Sequence, residues 1–241
     1  MTPVAVAYMV GALGMLVGVG IGVRLLSVTD VDSRAGAFRY LLVIPGAAAV
    51  MYGLMAVGVG TITVHGATVP APRYVDWLLT TPVLVGYVAY TAGAPKRATA
   101  SIVSADAAMI GIGWVAVVTS GPIRFAAFTV SSACYVGLLW ALYSYLPTFV
   151  NRQNTGRQHL FELLRNHVGL LWLAYPIIWL AGPLGVGLVS MLSVSLVITY
   201  IDVVAKVPYV YFVYQHRHAF ADDRFADATD GRRTQVSQLA D

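Results

Sequence analysis

Ionisable side chains stand inside or at the edge of long apolar segments of this chain. They are Arg73, Asp76, Asp106, His167, Asp202 and Lys206. Arg73 and Asp76 are three residues apart and Asp202 and Lys206 are four apart, so each pair shares one face of a helix. Ionisable groups in a bilayer are costly and by default indicate function. Two carboxylates and an arginine around one buried lysine suit a cationic group that is held charged and then altered. The alternative is a structural salt bridge between two helices.

Aromatic residues recur at helical spacing near these charges. Trp77 follows one of the carboxylates, and Trp172, Tyr175 and Trp179 lie on one stripe that also contains Pro176. A slot between such rings would accept a flat, conjugated ligand by stacking and dispersion. Plain packing of the aromatic side chains is the other interpretation.

The composition places these groups in a lipid bilayer. Hydrophobic residues make up 58% of the 241 residues and charged residues 11%, whereas a soluble domain carries about 25% charged residues. These proportions exclude a soluble enzyme, a nucleic-acid-binding protein and a disordered scaffold. The single cysteine, Cys134, excludes an internal disulfide bond, and the five histidines show no metal-binding spacing.

The sequence predicts an all-α fold of seven transmembrane helices, because seven apolar stretches reach the roughly 20 residues that a span needs. The predicted spans are Val4–Leu26, Tyr40–Val59, Val75–Thr91, Ala98–Thr119, Ile123–Leu146, Leu160–Ala181 and Ser190–Tyr214. They form one membrane domain over residues 1–214, and we expect a disordered, polar cytoplasmic tail over residues 215–241. Between spans two and three, polar and apolar residues alternate around His65-Gly66, which predicts a short β-hairpin.

The basic residues predict the orientation of these spans. Twelve of the 15 lie in the connections between spans 1–2, 3–4 and 5–6 or at the C-terminal end. They are Arg24, Arg34, Arg39, Lys96, Arg97, Arg152, Arg157, Arg165, Arg217, Arg224, Arg232 and Arg233. Because positive charge accumulates on the cytoplasmic side, the N-terminus is expected outside the cell.

Four motifs together resemble the haloarchaeal microbial rhodopsins. These are Arg73-Tyr74-Val75-Asp76-Trp77-Leu78-Leu79-Thr80-Thr81-Pro82, then Arg165-Asn166, then Trp172-x-x-Tyr175-Pro176-x-x-Trp179, and finally Asp202-x-x-x-Lys206. The resemblance covers all seven spans. It implies all-trans retinal bound covalently to Lys206 as a Schiff base, with Asp76 and Asp202 as counterions and Arg73 closing the extracellular side. The retinal pocket that it implies consists of Trp77, Thr80, Thr81, Asp106, Met109, Gly113, Phe128, Ser131, Trp172, Tyr175 and Trp179. It also implies that the carboxyl group of Asp106 stays protonated.

The resemblance also separates a sensor from a proton pump. Pumping relatives place a carboxylic acid eleven residues after the counterion, where this chain has Tyr87, and a pair of glutamates where it has Leu184 and Val194. The proton should therefore return slowly to Lys206, which suits a long-lived signalling state. Ala205 and His167 are similar to the residues of the sensory rhodopsin I branch, in which this histidine is linked to proton transfer.

This branch implies a photoreceptor, not an enzyme, that signals for phototaxis through a two-helix membrane transducer. The expected assembly is a 2:2 complex with the transducer or a homo-oligomer. Tyr200 points about 200° around its helix from Asp202, which places it where a transducer helix could contact it. The alternatives are the related middle rhodopsins, a light-driven proton pump of the bacteriorhodopsin type, a receptor for a diffusible ligand and a structural membrane protein.

Overall fold

A computed structural model of the chain describes residues 1–28 and 35–220. Span one is α1, Pro3–Ser27, and span two comprises α2, Ala35–Leu41, and α3, Val43–Ala56. Span three is α4, Ala71–Thr91, and span four is α5, Lys96–Val118. Span five is α6, Gly121–Trp140, continued by a π-helical turn, Ala141–Tyr145, and by α7, Pro147–Val150. Span six comprises α8, Thr155–Trp172, and α9, Ala174–Ala181, and span seven is α10, Met191–Gln215. The predicted seven-helix fold is confirmed.

Apolarity differs among the seven spans. Within the described ranges, five helical stretches are long and apolar enough to cross a membrane, and they correspond to spans one, two, four, five and seven. Span three instead carries Arg73 and Asp76, and span six carries Glu162 and two arginines. The two most polar spans therefore supply charged groups inside and at the cytoplasmic end of the bundle.

Proline residues explain two short breaks in these spans. Span two is interrupted at Leu42 and span six at Leu173, each three residues before a proline. Pro45 and Pro176 lack the N–H group that would bond the carbonyl four residues earlier, so the helical ladder is weakened at that point. The break in span six lies between Trp172 and Tyr175 and therefore within the aromatic stripe.

Span six begins five residues earlier than the sequence predicts. Asn154 caps it, since its side-chain oxygen accepts a hydrogen bond from the backbone N–H of Arg157 over 2.9 Å. The guanidinium group of Arg157 donates to the carbonyl oxygens of Tyr90 (2.6 Å) and Thr91 (3.2 Å), at the end of span three. The sequence predicts a connection here, because it shows neither the helix cap at Asn154 nor the carbonyl partners of Arg157 in span three.

The hairpin between spans two and three is confirmed. Strand β1, Thr61–Val64, pairs antiparallel with β2, Ala67–Pro70, and Val64 stands opposite Ala67. The two turn residues, His65 and Gly66, have φ angles of 48° and 79°. Two consecutive positive φ angles are typical of the type I′ turn that matches the twist of a hairpin.

The chain continues past span seven as a short 3₁₀ turn, Arg217–Phe220. The sequence predicts a disordered tail from residue 215, but Phe220 is only 1% exposed, so this first part of the segment packs against the bundle. The rest of the expected tail, residues 221–241, lies outside the described residues, as does the connection over residues 29–34.

Candidate functional site

Lys206 lies near the middle of span seven and is 2% exposed. Its Nζ atom contacts Oδ2 of Asp76 in span three, and the two form a buried salt bridge. The Thr80 hydroxyl, one turn further along span three, donates to the backbone carbonyl of Asp76 over 2.8 Å. The structure thus brings together the predicted amine and one predicted carboxylate.

Asp202, one turn before Lys206, is fully buried and accepts hydrogen bonds from three side chains. Tyr52 and Tyr175 donate their hydroxyl protons over 2.5 Å each. The indole Nε1 of Trp77 donates to the two carboxylate oxygens over 3.2 and 3.3 Å. An ionised carboxylate only accepts hydrogen bonds, and three donors suit that state. Spans two, three and six therefore meet at one side chain of span seven.

Arg73 is buried on the extracellular side of these carboxylates. Its Nη2 donates to the Tyr8 hydroxyl over 3.3 Å, and its guanidinium carbon lies 5.4 Å from the centre of the Tyr8 ring. The Tyr8 hydroxyl in turn donates to Oγ of Ser195 over 3.1 Å. Arg73 therefore links span three to spans one and seven at the extracellular end of the site.

A cavity of about 1280 Å³, its open mouth included, lies against Lys206. Its lining contains the predicted charged residues Arg73, Asp202 and Lys206. It also contains nine of the eleven predicted pocket residues, namely Trp77, Thr81, Met109, Gly113, Phe128, Ser131, Trp172, Tyr175 and Trp179. The rings of Phe128 and Trp179 stack with their centres 4.5 Å apart, and Trp77 meets Tyr175 edge-on at 5.1 Å. The cavity is therefore lined largely by aromatic rings, and the primary amine of Lys206 lies at its boundary.

Three predicted residues, Thr80, Asp76 and Asp106, are fully buried behind the residues that line this cavity. Asp106 is connected to it through Thr81, whose Oγ1 lies 2.7 Å from Oδ2 of Asp106. The same Oγ1 lies 2.8 Å from the backbone carbonyl oxygen of Trp77.

Tyr87 and His167, the residues expected to affect proton transfer, lie on the cytoplasmic side of Lys206. The Tyr87 ring is buried, and its hydroxyl has no hydrogen-bond partner among the described residues. Nε2 of His167 lies 3.1 Å from the carbonyl oxygen of Ala205, the residue directly before Lys206. Span six is thus connected to the backbone that carries the lysine.

Tyr200 lies outside this group. It is 70% exposed on span seven, on a different face from the buried Asp202. Its side chain is therefore available to lipid or to another protein.

Sequence reasoning missed three tyrosines of the site. Tyr52 bonds Asp202, Tyr8 bonds Arg73, and the hydroxyl of Tyr135 in span five donates to the carbonyl of Gly169 in span six over 2.7 Å. Tyr8 is the one phenol of span one and Tyr52 is one of two in span two, and a buried phenol normally needs a partner. That requirement was the available signal, although it does not say which residue the partner is.

A family model described as "Bacteriorhodopsin-like protein" matches residues 2–220 of the chain. The chain belongs to this family. Bacteriorhodopsin-like proteins of this kind cross the membrane several times, and the present one is a multi-pass membrane protein. The seven spans of the structure agree with this membership.

Curated relatives resemble the chain over most of its length. It is 47% identical over 234 residues to "Sensory rhodopsin-1" of Halobacterium sp. strain SG1, with 94% of each chain covered. It is 44% identical over 231 residues to "Sensory rhodopsin I" of Haloarcula marismortui, which covers 95% of this chain and 97% of the relative. Among solved structures, the thermophilic rhodopsin from Rubrobacter xylanophilus superimposes with a TM-score of 0.86 at 30% identity, covering 91% and 98% of the two chains.

Proposed function

We propose that this protein is a membrane photoreceptor that binds retinal in the cavity beside Lys206 and signals to a partner protein. The observation that carries the proposal is the buried amine of Lys206, paired with Asp76 at the boundary of an aromatic cavity. The relatives named sensory rhodopsin favour a photoreceptor over a proton pump.

The residues of the cavity fit a retinal. The chain has two lysines, and Lys96 is exposed at the start of span four, whereas Lys206 is buried. The walls are indole, phenol and aliphatic groups, which suit a flat polyene through stacking and dispersion. We infer that all-trans retinal is held covalently at Nζ of Lys206, where it would supply light absorption and isomerisation about one double bond.

Asp76 is positioned to exchange a proton with Nζ of Lys206. Its Oδ2 contacts Nζ directly, and both groups are buried from water. Asp202 has its oxygens occupied by three donors from other spans, so it is suited to remain charged and stabilise the cationic Nζ. We infer that Asp76 is the proton acceptor, that Asp202 is the fixed counterion, and that Arg73 balances their charge on the extracellular side.

Asp106 has a different role, because the hydroxyl group of Thr81 carries a single proton. Oγ1 of Thr81 is within hydrogen-bond distance of both the Trp77 carbonyl and Asp106. The two bonds form together when Thr81 donates to the carbonyl and a protonated Asp106 donates to Thr81. This geometry supports a neutral Asp106 that fixes the cavity wall at Thr81.

The cytoplasmic side of the site favours signalling over transport. A phenol such as Tyr87 is too weak an acid to return a proton quickly, so the state with a neutral Nζ should persist. The bond between His167 and the Ala205 carbonyl offers a route by which a change at Lys206 reaches span six. We infer that span six carries the signal toward the cytoplasm.

The proposed partner is a two-helix membrane transducer. Tyr200 is 70% exposed, and its depth near Asp202 lies far from the headgroups where aromatic residues usually anchor a span. A hydroxyl in hydrocarbon needs a hydrogen-bond partner, which a transducer helix could supply. A 2:2 complex would place this contact on each photoreceptor of the assembly.

Cells that make both the protein and a two-helix transducer would test this function. Given all-trans retinal, they should change their swimming behaviour on illumination and show no sustained acidification of the medium. Cells with the Lys206→Ala variant are the matched control and should not respond. Sustained light-driven acidification by the complex, without a behavioural response, would favour the pump and contradict the photoreceptor.

A further inference from the structure

The 3₁₀ turn after span seven folds back beneath the bundle and inserts one aromatic ring into it. Phe220 is 1% exposed, although it lies beyond the last membrane span. Its ring stacks on Tyr90 of span three at 5.6 Å and meets Phe38 of span two edge-on at 5.8 Å. It also lies 6.3 Å from the ring of Tyr87, measured between ring centres.

Span six holds this turn in place. Nδ2 of Asn154 donates to the carbonyl oxygen of Ala219 over 3.0 Å. The guanidinium carbon of Arg157 lies 5.2 Å from the centre of the Phe220 ring, a cation–π arrangement. A Cβ atom on Gly156 would lie 3.2 Å from Cβ of Ala219, so the turn and the start of span six are in close contact.

The residues between Phe220 and Lys206 leave few polar groups for a water chain. Tyr87 lies next to Phe220, and its buried hydroxyl has no hydrogen-bond partner among the described residues. The ring of Tyr209 is 6.5 Å further on, and its hydroxyl is already bonded to the Leu84 carbonyl over 2.9 Å. Buried water needs two to four polar partners, and apolar space stays dry. The cytoplasmic half of the bundle is therefore closed by aromatic residues, of which Phe220 is the outermost.

We propose that the Phe220 ring closes the proton path on the cytoplasmic side of Tyr87. Asn154 holds the turn that carries this ring to the start of span six. The inference rests on the proposed function, because the sealed path leads to Nζ of Lys206. It adds a second cause of slow proton return, since water is excluded in addition to the absence of a donor acid at Tyr87. Because the Asn154 tether belongs to span six, a movement of that span would loosen the seal.

Cysteine labelling tests the seal without retinal or light. Val88, next to Tyr87 in sequence, is fully buried in the same hydrophobic cluster as Tyr87 and Phe220, and Val88→Cys changes its volume little. In a Cys134→Ala background, a charged, water-soluble maleimide should label this cysteine slowly when Phe220 is present and severalfold faster when Phe220→Ala is added. Phe220→Leu should keep labelling slow. Phe125→Ala, which removes a ring that is 46% exposed on span five, is the matched control and should change nothing.

The tether is tested by Asn154→Asp, which keeps an oxygen to cap span six but loses the Nδ2 donor to Ala219. It should raise the labelling rate, as Phe220→Ala does. Because the aspartate still caps span six, a faster rate reports the lost bond to Ala219 and not a lost helix cap. Equal labelling rates in wild type, Phe220→Ala and Asn154→Asp would overturn the proposal.

Proton uptake gives the second readout. After a flash, the rate of proton return to Nζ of Lys206 is measured against pH and against added azide, a small weak acid that carries protons into open channels. Phe220→Ala should steepen both dependences severalfold and leave the visible spectrum before the flash unchanged. If the spectrum is normal and the pH and azide dependences match those of the wild type, the proposed seal is contradicted while the proposed photoreceptor function is not. If no visible band forms with retinal, the proposed function fails first, and the labelling result still decides the seal.

Discussion

The hydroxyl group of Tyr52 in span two donates to a carboxylate oxygen of Asp202 in span seven over 2.5 Å. Tyr175 of span six donates to the other oxygen of the same carboxylate, also over 2.5 Å. Tyr52 lies in a part of the bundle that is tightly packed, since a Cβ atom on Gly11 of span one would lie 2.6 Å from its ring. Asp202 is thus held between a fixed donor and a donor on span six, and movement of span six would change its hydrogen bonding.

Tyr52→Phe should destabilise the folded protein because Asp202 loses one of its three donors. Hydrogen bonds between membrane helices contribute about 0.6 kcal/mol on average and up to about 1.7 kcal/mol. A charged acceptor places this bond near the upper value. Thermal unfolding in detergent measures the change, with Tyr40→Phe as the control, because Tyr40 is 65% exposed on the same span. Unfolding of Tyr52→Phe at the wild-type temperature would contradict this account of Asp202.

Asp76→Asn should abolish the change in colour that the retinal-loaded wild type shows on acidification. Protonation of Asp76 at low pH removes the negative charge beside Nζ of Lys206, and a weaker counterion shifts absorption to the red. The variant should therefore stay in the red-shifted form at every pH. Absorption spectra recorded across pH measure this. Asp106→Asn, a change at a carboxyl that the geometry already supports as neutral, should keep the wild-type titration. An Asp76→Asn variant that still titrates would assign the effect to another group.

Tyr87→Asp should speed the return of the proton to Nζ of Lys206 by placing a carboxylic acid on the cytoplasmic side. Flash photolysis measures the decay of the state with neutral Nζ, at a pH where the new carboxyl is protonated. Tyr87→Phe should decay as wild type does, because the hydroxyl that it removes has no partner among the described residues. An unchanged rate in Tyr87→Asp would mean that proton return is limited elsewhere.

Tyr200→Phe should leave the visible spectrum unchanged and weaken binding of the transducer by roughly 0.6 kcal/mol, the average for a hydrogen bond between membrane helices. Calorimetry in detergent with the transducer fragment measures the affinity. Tyr40→Phe, on span two, serves as the control for loss of an exposed hydroxyl. Equal affinity of Tyr200→Phe and wild type would place the interface on another face.

Residue types alone predicted the charged centre and the hairpin. A lysine inside an apolar span requires a carboxylate, and Asp76 is found against it. The turn residues His65 and Gly66 indicated the hairpin, because their conformation depends on the local sequence. These features depend on residue type and on neighbours in sequence, both of which can be read from a single sequence.

Contacts between distant spans could not be predicted in the same way. Tyr52 has no neighbour in sequence that points to Asp202, 150 residues away. Asn154 and Arg157 lie in a polar stretch that resembles a loop. The helix begins there because Asn154 caps it and because Arg157 bonds carbonyls of span three. Phe220 is one of two aromatic residues in the polar segment 215–241, and its burial depends on rings of spans two and three.

The absorption spectrum of Lys206→Ala after addition of all-trans retinal tests the central claim most directly. The wild type and Lys96→Ala, which removes the exposed lysine of span four, should each form a visible absorption band. Lys206→Ala should form none, because the buried amine that faces the cavity is gone. A visible band in Lys206→Ala comparable to that of the wild type would contradict the assignment of this site as the attachment point of the chromophore.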